Sequence, residues 1–335
     1  MSKYKDQKTF EKSNFYTFSD SDWGFFLATV APYAVALVIM LIASMAQLKS
    51  GSVALGILSL FASPIAFSSV FFGYNKYAKI SIKAAKVKFK IKAWDFVMCF
   101  VIALVAVFGL MYFIGGLDSL LRDWGYNFSE IPLPMDNFGW LVLAIILLAV
   151  LPAIFEELVF RGMILNGLRS SMGEIAAIFA SAALFSIMHG SIQQLIYPFI
   201  LGIILGWVAV RTGSTVCSMI VHFLNNAVVI IVQYVQFHTG NMQPIVYNTG
   251  AWLLAVALVI VTAIVIYLIE KFYFKHKNRD EEEMNIDSQE NKVLHQKNKT
   301  AKSQPVPFIM ILGVIISLGI LVANTYMAFT NVTGG

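Results

Sequence analysis

Nine apolar stretches dominate this 335-residue sequence and constrain its fold more than any other feature. A helix that crosses the hydrocarbon core of a bilayer needs about 20 mostly apolar residues. The stretches lie at residues 24–46, 53–73, 94–115, 138–160, 173–189, 193–210, 214–236, 250–272 and 307–330. Only 13% of the residues are charged, against about 25% in a typical soluble domain. The sequence therefore predicts an all-α polytopic membrane protein.

The fifth and sixth stretches differ from the others because they are short and closely joined. The connection is His189-Gly190-Ser191. We expect these two helices to form a hairpin that does not fully cross the bilayer. We expect no removable signal peptide, since the polar first 22 residues precede an apolar run of full spanning length.

Lysine and arginine residues predict the orientation of the chain, because basic loops favour the cytoplasmic side. The loop after the second stretch carries seven lysines: Lys76, Lys79, Lys83, Lys86, Lys88, Lys90 and Lys92. With this loop inside, alternation of the spans places the N-terminus in the cytoplasm. The outer loops then carry little that is basic beyond Lys49 and Arg122. Since topology accounts for the positive charge, we expect a lipid-bilayer environment and no nucleic-acid partner.

Residues 276–306 form a polar tract that mixes charged and amide side chains without apolar periodicity. Such a composition cannot bury enough apolar surface to fold, so the tract predicts a disordered cytoplasmic linker. The ninth stretch, after this linker, is predicted to be an additional transmembrane helix that could bind a membrane-protein partner.

Ionisable residues within apolar segments are costly and indicate functional sites. In EELVFR at 156–161, Glu157 and Arg161 are four residues apart and can pair on one helix face. Glu156 lies about 100° further round the helix and has no obvious partner in the segment, which makes it a candidate proton acceptor or donor. Alternatively, both glutamates lie solvated at the inner interface beside Arg161.

Two histidines provide the other polar groups of this region. His189 follows Phe185 by one turn near a helix end, where a lone histidine is usually a satisfied polar residue. His222 and Asn226 are also one turn apart and project from the same helix face. They could donate hydrogen bonds to a developing oxyanion, or they could make an ordinary polar contact between membrane helices.

One shared polar cavity would explain why the fourth, fifth and seventh stretches each carry a polar cluster. The clusters can reach a common depth only if the fourth helix continues beyond Arg161 to about Arg169, at 1.5 Å per residue. We therefore predict a long fourth helix, and a hairpin over 173–211 whose turn is buried in protein.

Three motifs on these segments resemble those of a known family. EELVFR at 156–161 fits EExxxR, FSIMH at 185–189 fits FxxxH, and HFLNN at 222–226 fits HxxxN. They occur in this order, at similar spacing, in the CAAX prenyl protease and bacteriocin-processing family of intramembrane endopeptidases, also called the CPBP or Abi family. The resemblance covers residues 153–228, and it implies an eight-helix core to which the ninth helix is an addition.

The resemblance implies a glutamate-dependent intramembrane endopeptidase. Its implied catalytic residues are Glu156, His189, His222 and Asn226. Its implied supporting residues are Glu157, Arg161 and Phe185. Glu156 and His189 would activate a water molecule. His222 and Asn226 would hold the oxyanion.

A metal requirement stays open at the level of sequence. Glu156, His189 and His222 could ligate a zinc ion and leave one position free. The spacing lacks the HExxH arrangement of many zinc peptidases, and metal-free activation of water is the preferred interpretation.

We therefore divide the chain into four parts: a cytoplasmic segment at 1–22, a protease-like core at 23–275, the linker at 276–306 and the additional helix at 307–335. We expect a multi-pass protein of a bacterial cell membrane that acts on a peptide or membrane-protein substrate. Peptide maturation and self-immunity to a bacteriocin are roles that the resemblance implies. Two other functions compete with peptidase activity: a non-catalytic scaffold that regulates a cell-envelope enzyme or sensor kinase, and a proton-coupled transporter, which the lack of an inverted repeat disfavours.

Overall fold

In the part of the chain that the structure describes, nine apolar helices correspond to the nine predicted stretches. The structure, a computed structural model, describes residues 12–89, 91–127, 133–240, 248–274 and 308–330. The helices are α1 Phe18–Met45, α2 Val53–Tyr77, α3 Ala93–Asp123, α4 Phe138–Leu168, α5 Glu174–Met188, α6 Ile196–Thr212, α7 Thr215–Thr239, α8 Thr249–Phe274 and α9 Phe308–Thr330. Within these ranges, seven helices are long and apolar enough to cross a membrane, and α5 and α6 are shorter. The predicted all-α polytopic membrane fold is confirmed, whereas the predicted linker at 276–306 lies outside the described residues.

Helix α1 begins at a capping box. The Thr17 side chain accepts a hydrogen bond from the Asp20 backbone, and the Asp20 carboxylate accepts one from the Thr17 backbone N–H at 2.6 Å. Each bond satisfies a donor that the first helical turn would otherwise leave without a partner. One turn later, the Ser21 hydroxyl donates to the Ile164 carbonyl of α4 at 2.8 Å. The start of α1 is thereby fixed against the end of α4.

Helix α4 is one long helix, as the depth argument predicted, and it includes π-helical turns at Ile145–Val150 and Leu158–Leu165. Pro152 lies between these turns. Because proline has no N–H, it cannot donate to the Leu148 carbonyl one turn earlier. That carbonyl accepts instead from the Asn226 side chain of α7 at 3.2 Å. A proline in α4 thus creates an attachment point for α7.

Helices α5 and α6 form a close-packed hairpin. A Cβ atom at Gly202 of α6 would lie only 3.0 Å from Cα and Cβ of Ala182 in α5, so a side chain here would push the two helices slightly apart. At the turn, Gly190 has a φ of +62°, a conformation that glycine adopts without strain. The Ser186 hydroxyl donates to the Leu195 carbonyl across the turn. The turn also contacts the segment that follows α3, since Tyr126 Oη lies 3.2 Å from Ser191 Oγ.

Helix α9 packs along α1 and against the start of the hairpin turn. Its Gly313 fits against the Phe25 ring, where a Cβ atom would have only 3.0 Å of room. Its Asn324 side chain donates to the Gly190 carbonyl at 2.8 Å. The additional helix is therefore integrated into the bundle, and its role as a partner-binding element stays a prediction.

Candidate active site

The Glu157–Arg161 pair is the innermost part of the site. Arg161 Nη1 lies 2.8 Å from Glu157 Oε1, and both side chains are 0% exposed. Arg161 Nη2 donates to the Gly202 carbonyl at 3.2 Å. The guanidinium carbon lies 4.5 Å from the centre of the Phe185 ring, in range of a cation–π interaction. The predicted pairing on one helix face is observed, and it joins α4 to both arms of the hairpin.

His222 of α7 lies between the two glutamates. Its Nδ1 is 3.0 Å from Glu157 Oε1, and its Nε2 is 4.0 Å from Glu156 Oε2. An ionised carboxylate only accepts hydrogen bonds, so Nδ1 donates in this contact. Nε2 is thereby left to face Glu156. The separation of 4.0 Å is too long for a direct hydrogen bond but suits a bridge through one small molecule such as water.

The two adjacent glutamates have different environments. Glu157 is bound by Arg161 and His222, and its side chain is 0% exposed. The Glu156 side chain keeps 12% exposure, and its nearest charged contact is the 4.0 Å approach of His222. One carboxylate therefore holds the cluster together, while its neighbour is slightly exposed and is held less closely. A solvated interfacial location, the alternative from the sequence, does not fit the burial of this cluster.

Phe185 brings His189 to the cluster. Its ring packs edge-on against His189 with centroids 4.8 Å apart, and against His222 with centroids 6.0 Å apart. His189 Nδ1 lies 2.7 Å from the Phe185 carbonyl oxygen. Because a carbonyl cannot donate, this bond requires the proton on Nδ1 and makes Nε2 the acceptor nitrogen of a neutral ring. An imidazole in this tautomer can accept a proton or orient a water molecule.

Asn226, which lies one turn after His222, also bonds to a backbone carbonyl of α4. Its amide nitrogen donates to Leu148 O of α4 at 3.2 Å, and its oxygen accepts from the Asn225 amide at 3.1 Å. Asn225 in turn accepts a hydrogen bond from the Tyr197 hydroxyl of α6. The two asparagines thus link α4, α6 and α7. One hydrogen of the Asn226 amide remains beyond the bond to Leu148.

The candidate metal ligands do not form a typical zinc site. Within the described ranges, no three His, Cys, Asp or Glu side chains are grouped so as to hold a metal ion. His222 Nδ1 is engaged by Glu157, and its Nε2 is 4.0 Å from Glu156 Oε2. A catalytic zinc site needs three protein ligands around an open position. The arrangement does not fit that requirement, and the preference for metal-free activation stays a prediction.

Three groups that bind residues of the site could not be found from sequence motifs. The Gly202 carbonyl binds Arg161, the Tyr197 hydroxyl binds Asn225, and the Leu148 carbonyl binds Asn226. Two of them are backbone atoms, which no residue pattern can identify. For Leu148, the one available signal was Pro152, because a proline within an apolar helix frees a carbonyl one turn earlier.

A comparison with models of known protein families found a match over the segment that carries this cluster. Residues 138–228 match the family model described as type II CAAX prenyl endopeptidase Rce1-like. The match includes all the residues of the site named above, and it confirms the resemblance noted from the sequence. No curated protein and no solved structure matched the chain.

Proposed function

Because residues 138–228 form an Rce1-like domain of a protease family, we propose that this multi-pass membrane protein is an intramembrane endopeptidase in which Glu156 and His189 activate a water molecule. The observation that carries the proposal is the unequal environment of two adjacent glutamates. Glu157 is tied to Arg161 and His222, whereas Glu156 keeps only a 4.0 Å approach to His222 Nε2. A general base needs such freedom to exchange a proton.

In the proposed reaction, Glu156 takes a proton from the water molecule while His189 Nε2 accepts its second hydrogen as a hydrogen bond. The hydroxide attacks the carbonyl carbon of the scissile peptide bond and gives a tetrahedral intermediate. The C–N bond then breaks, and the Glu156 carboxylic acid returns its proton to the departing amine. The products are a carboxylic acid and an amine, which exchange one proton to become a carboxylate and an ammonium group, so that one water molecule is consumed.

His222 and Asn226 are assigned to the oxyanion of this intermediate. His222 Nδ1 donates to Glu157, and a proton on its Nε2 would let the ring donate to the oxyanion as well. The second amide hydrogen of Asn226 is assigned as the other oxyanion donor.

The proposed substrate is a peptide or a membrane protein that reaches the site from the cytoplasm or the bilayer. Roles in peptide maturation or bacteriocin self-immunity, a bacterial origin and a cytoplasmic N-terminus are parts of the same proposal. They rest on the family resemblance and on the basic loop between α2 and α3.

The proposal is tested in a matching null strain that expresses the chain or its Glu156→Gln, His189→Ala or His222→Ala variants. Membrane and secreted peptides are compared by mass spectrometry, and we expect one processed form to disappear in all three variants. Asp136→Asn makes the same change from carboxyl to amide on an exposed loop residue and should leave processing intact. If all three site variants process normally and rescue the null phenotype, the peptidase proposal fails. A non-catalytic scaffold for a cell-envelope enzyme or sensor kinase then takes its place.

A further inference from the structure

Helix α9 lies outside the family match, yet it is bound to the core at three levels. At its start, the Asp22 carboxylate of α1 accepts a hydrogen bond from the Met310 backbone N–H at 2.5 Å. In its middle, the Ser317 hydroxyl lies 3.4 Å from that of Thr29 in α1. Near its end, Ala328 O accepts from the Asn127 backbone N–H at 3.2 Å. These contacts fix the position of α9 along the bundle axis.

The fixed register brings Asn324 to the end of α5. The Asn324 side chain donates to the Gly190 carbonyl at 2.8 Å, and Ile320 one turn earlier packs closely against the Cα of the same glycine. Asn324 is the seventeenth residue of α9, about 24 Å from its first residue at 1.5 Å per residue. That distance is shorter than the thickness of a hydrocarbon core, about 30 Å, so a span that enters the bilayer at Phe308 places the Asn324–Gly190 bond within it.

The Gly190 carbonyl needs such a donor. It belongs to the residue after His189, where α5 has ended and the backbone turns at a φ of +62°. Helices leave their last carbonyls without intrahelical donors. In a bilayer, where water is absent, a backbone carbonyl that lacks a donor is destabilising. Asn324 supplies this donor from a different part of the chain.

We infer that Asn324 is a positioning residue for His189. By holding the Gly190 carbonyl, Asn324 fixes the end of α5 and hence the Cα of the histidine. The direct bond from His189 Nδ1 to the Phe185 carbonyl sets only the rotation of the ring relative to α5. The hydrogen bond from α9 sets where that end of α5 lies within the bundle. This inference rests on the proposed function, and it makes α9 a part of the active site.

The first test measures His189 without using a substrate. The purified full-length chain in detergent is treated with diethyl pyrocarbonate, and modification of each histidine is followed by mass spectrometry. Asn324→Asp removes the donor at constant size, and Asn324→Ala removes the side chain. We expect either change to raise the modification rate of His189 several-fold and to leave that of His222 unchanged. As a control, Tyr326→Phe removes a polar group from the exposed face of α9 and should alter neither rate.

The second test is processing of the peptide found in the null strain. Asn324→Asp should lower processing by about 10- to 100-fold, the range expected when a reacting group is displaced by about 1 Å.

Three results would overturn the inference. The first is unchanged modification of His189 in both Asn324 variants. The second is an equal rise at His189 and His222, which would show general loosening of the fold. The third is processing by Asn324→Asp that equals that of the wild type. If Glu156→Gln keeps full processing, the proposed function fails instead, while the modification rates still report on the contact between α9 and α5.

Discussion

Removing the positive charge of the buried ion pair should destabilise the protein strongly. Arg161→Met keeps most of the side-chain volume but removes the positive charge that contacts the Glu157 carboxylate, while the contact of Glu157 with His222 Nδ1 stays. Both members of the pair are 0% exposed, so water cannot replace the guanidinium. Loss of one partner of a buried pair costs about 3–5 kcal/mol. The variant also loses the bond to Gly202 O, worth about 1 kcal/mol.

Removing both charges together should restore most of this stability. Glu157→Gln combined with Arg161→Met leaves no buried charge without a partner, and the glutamine oxygen still accepts from His222 Nδ1. Replacement of a buried ion pair by neutral residues is often neutral for folding. We expect the double variant to be about 1–2 kcal/mol less stable than the wild type, mainly through the carbonyl of Gly202.

The assay is equilibrium unfolding in mixed detergent micelles, followed by fluorescence of the six tryptophans. Lys49→Met makes a similar change at an exposed loop position and should shift the free energy of unfolding by no more than about 0.5 kcal/mol. A cost below 1 kcal/mol for Arg161→Met, or a double variant no more stable than the single one, would refute this reasoning. Either result would mean that Glu157 is hydrated or is balanced by another group.

Three further predictions concern contacts around the site. Gly202→Ala should lower the free energy of unfolding by about 1–3 kcal/mol in the same assay, because the added Cβ would lie 3.0 Å from Ala182. An unchanged free energy would mean that α5 and α6 can move apart to make room for it. Asn226→Ala should cost about 1–3 kcal/mol by leaving Leu148 O without its side-chain donor, and an unchanged unfolding free energy would refute that role. Glu270→Gln should lower the free energy of unfolding by at most about 1 kcal/mol, and by less at high salt, since the ion pair of Glu270 with Arg211 is partly exposed. A larger loss that does not depend on salt would contradict this expectation.

Two control variants show whether these losses are specific to the substituted contacts. Gly319→Ala adds the same methyl group as Gly202→Ala, but in α9 where no atom lies within 4 Å of the new Cβ. It should therefore be neutral or slightly stabilising, because alanine has the higher helix propensity. Asp136→Asn, at an exposed loop position, should leave both stability and processing close to the wild type.

The sequence by itself determined the class of protein and the extent of its helices. Each predicted apolar stretch corresponds to one helix, since burying backbone polar groups in lipid forces a long apolar segment to be helical. It also predicted the Glu157–Arg161 pair, because two residues four apart on one helix are neighbours whatever surrounds them. The length of α4 followed from the requirement that three polar clusters reach one depth.

Only the tertiary structure decided which groups from different helices meet. The bond between Asn226 and Leu148, and that between Arg161 and Gly202, join a side chain to a carbonyl far away in the sequence. The sequence also could not predict where α9 packs, because its apolar residues are compatible with a separate membrane anchor as well as with packing on α1. Helix formation depends on local backbone bonds, which the sequence encodes within a few residues. Contacts between helices depend on how close the backbones approach, and glycines such as Gly202 and Gly313 set that distance only once their partners are in place.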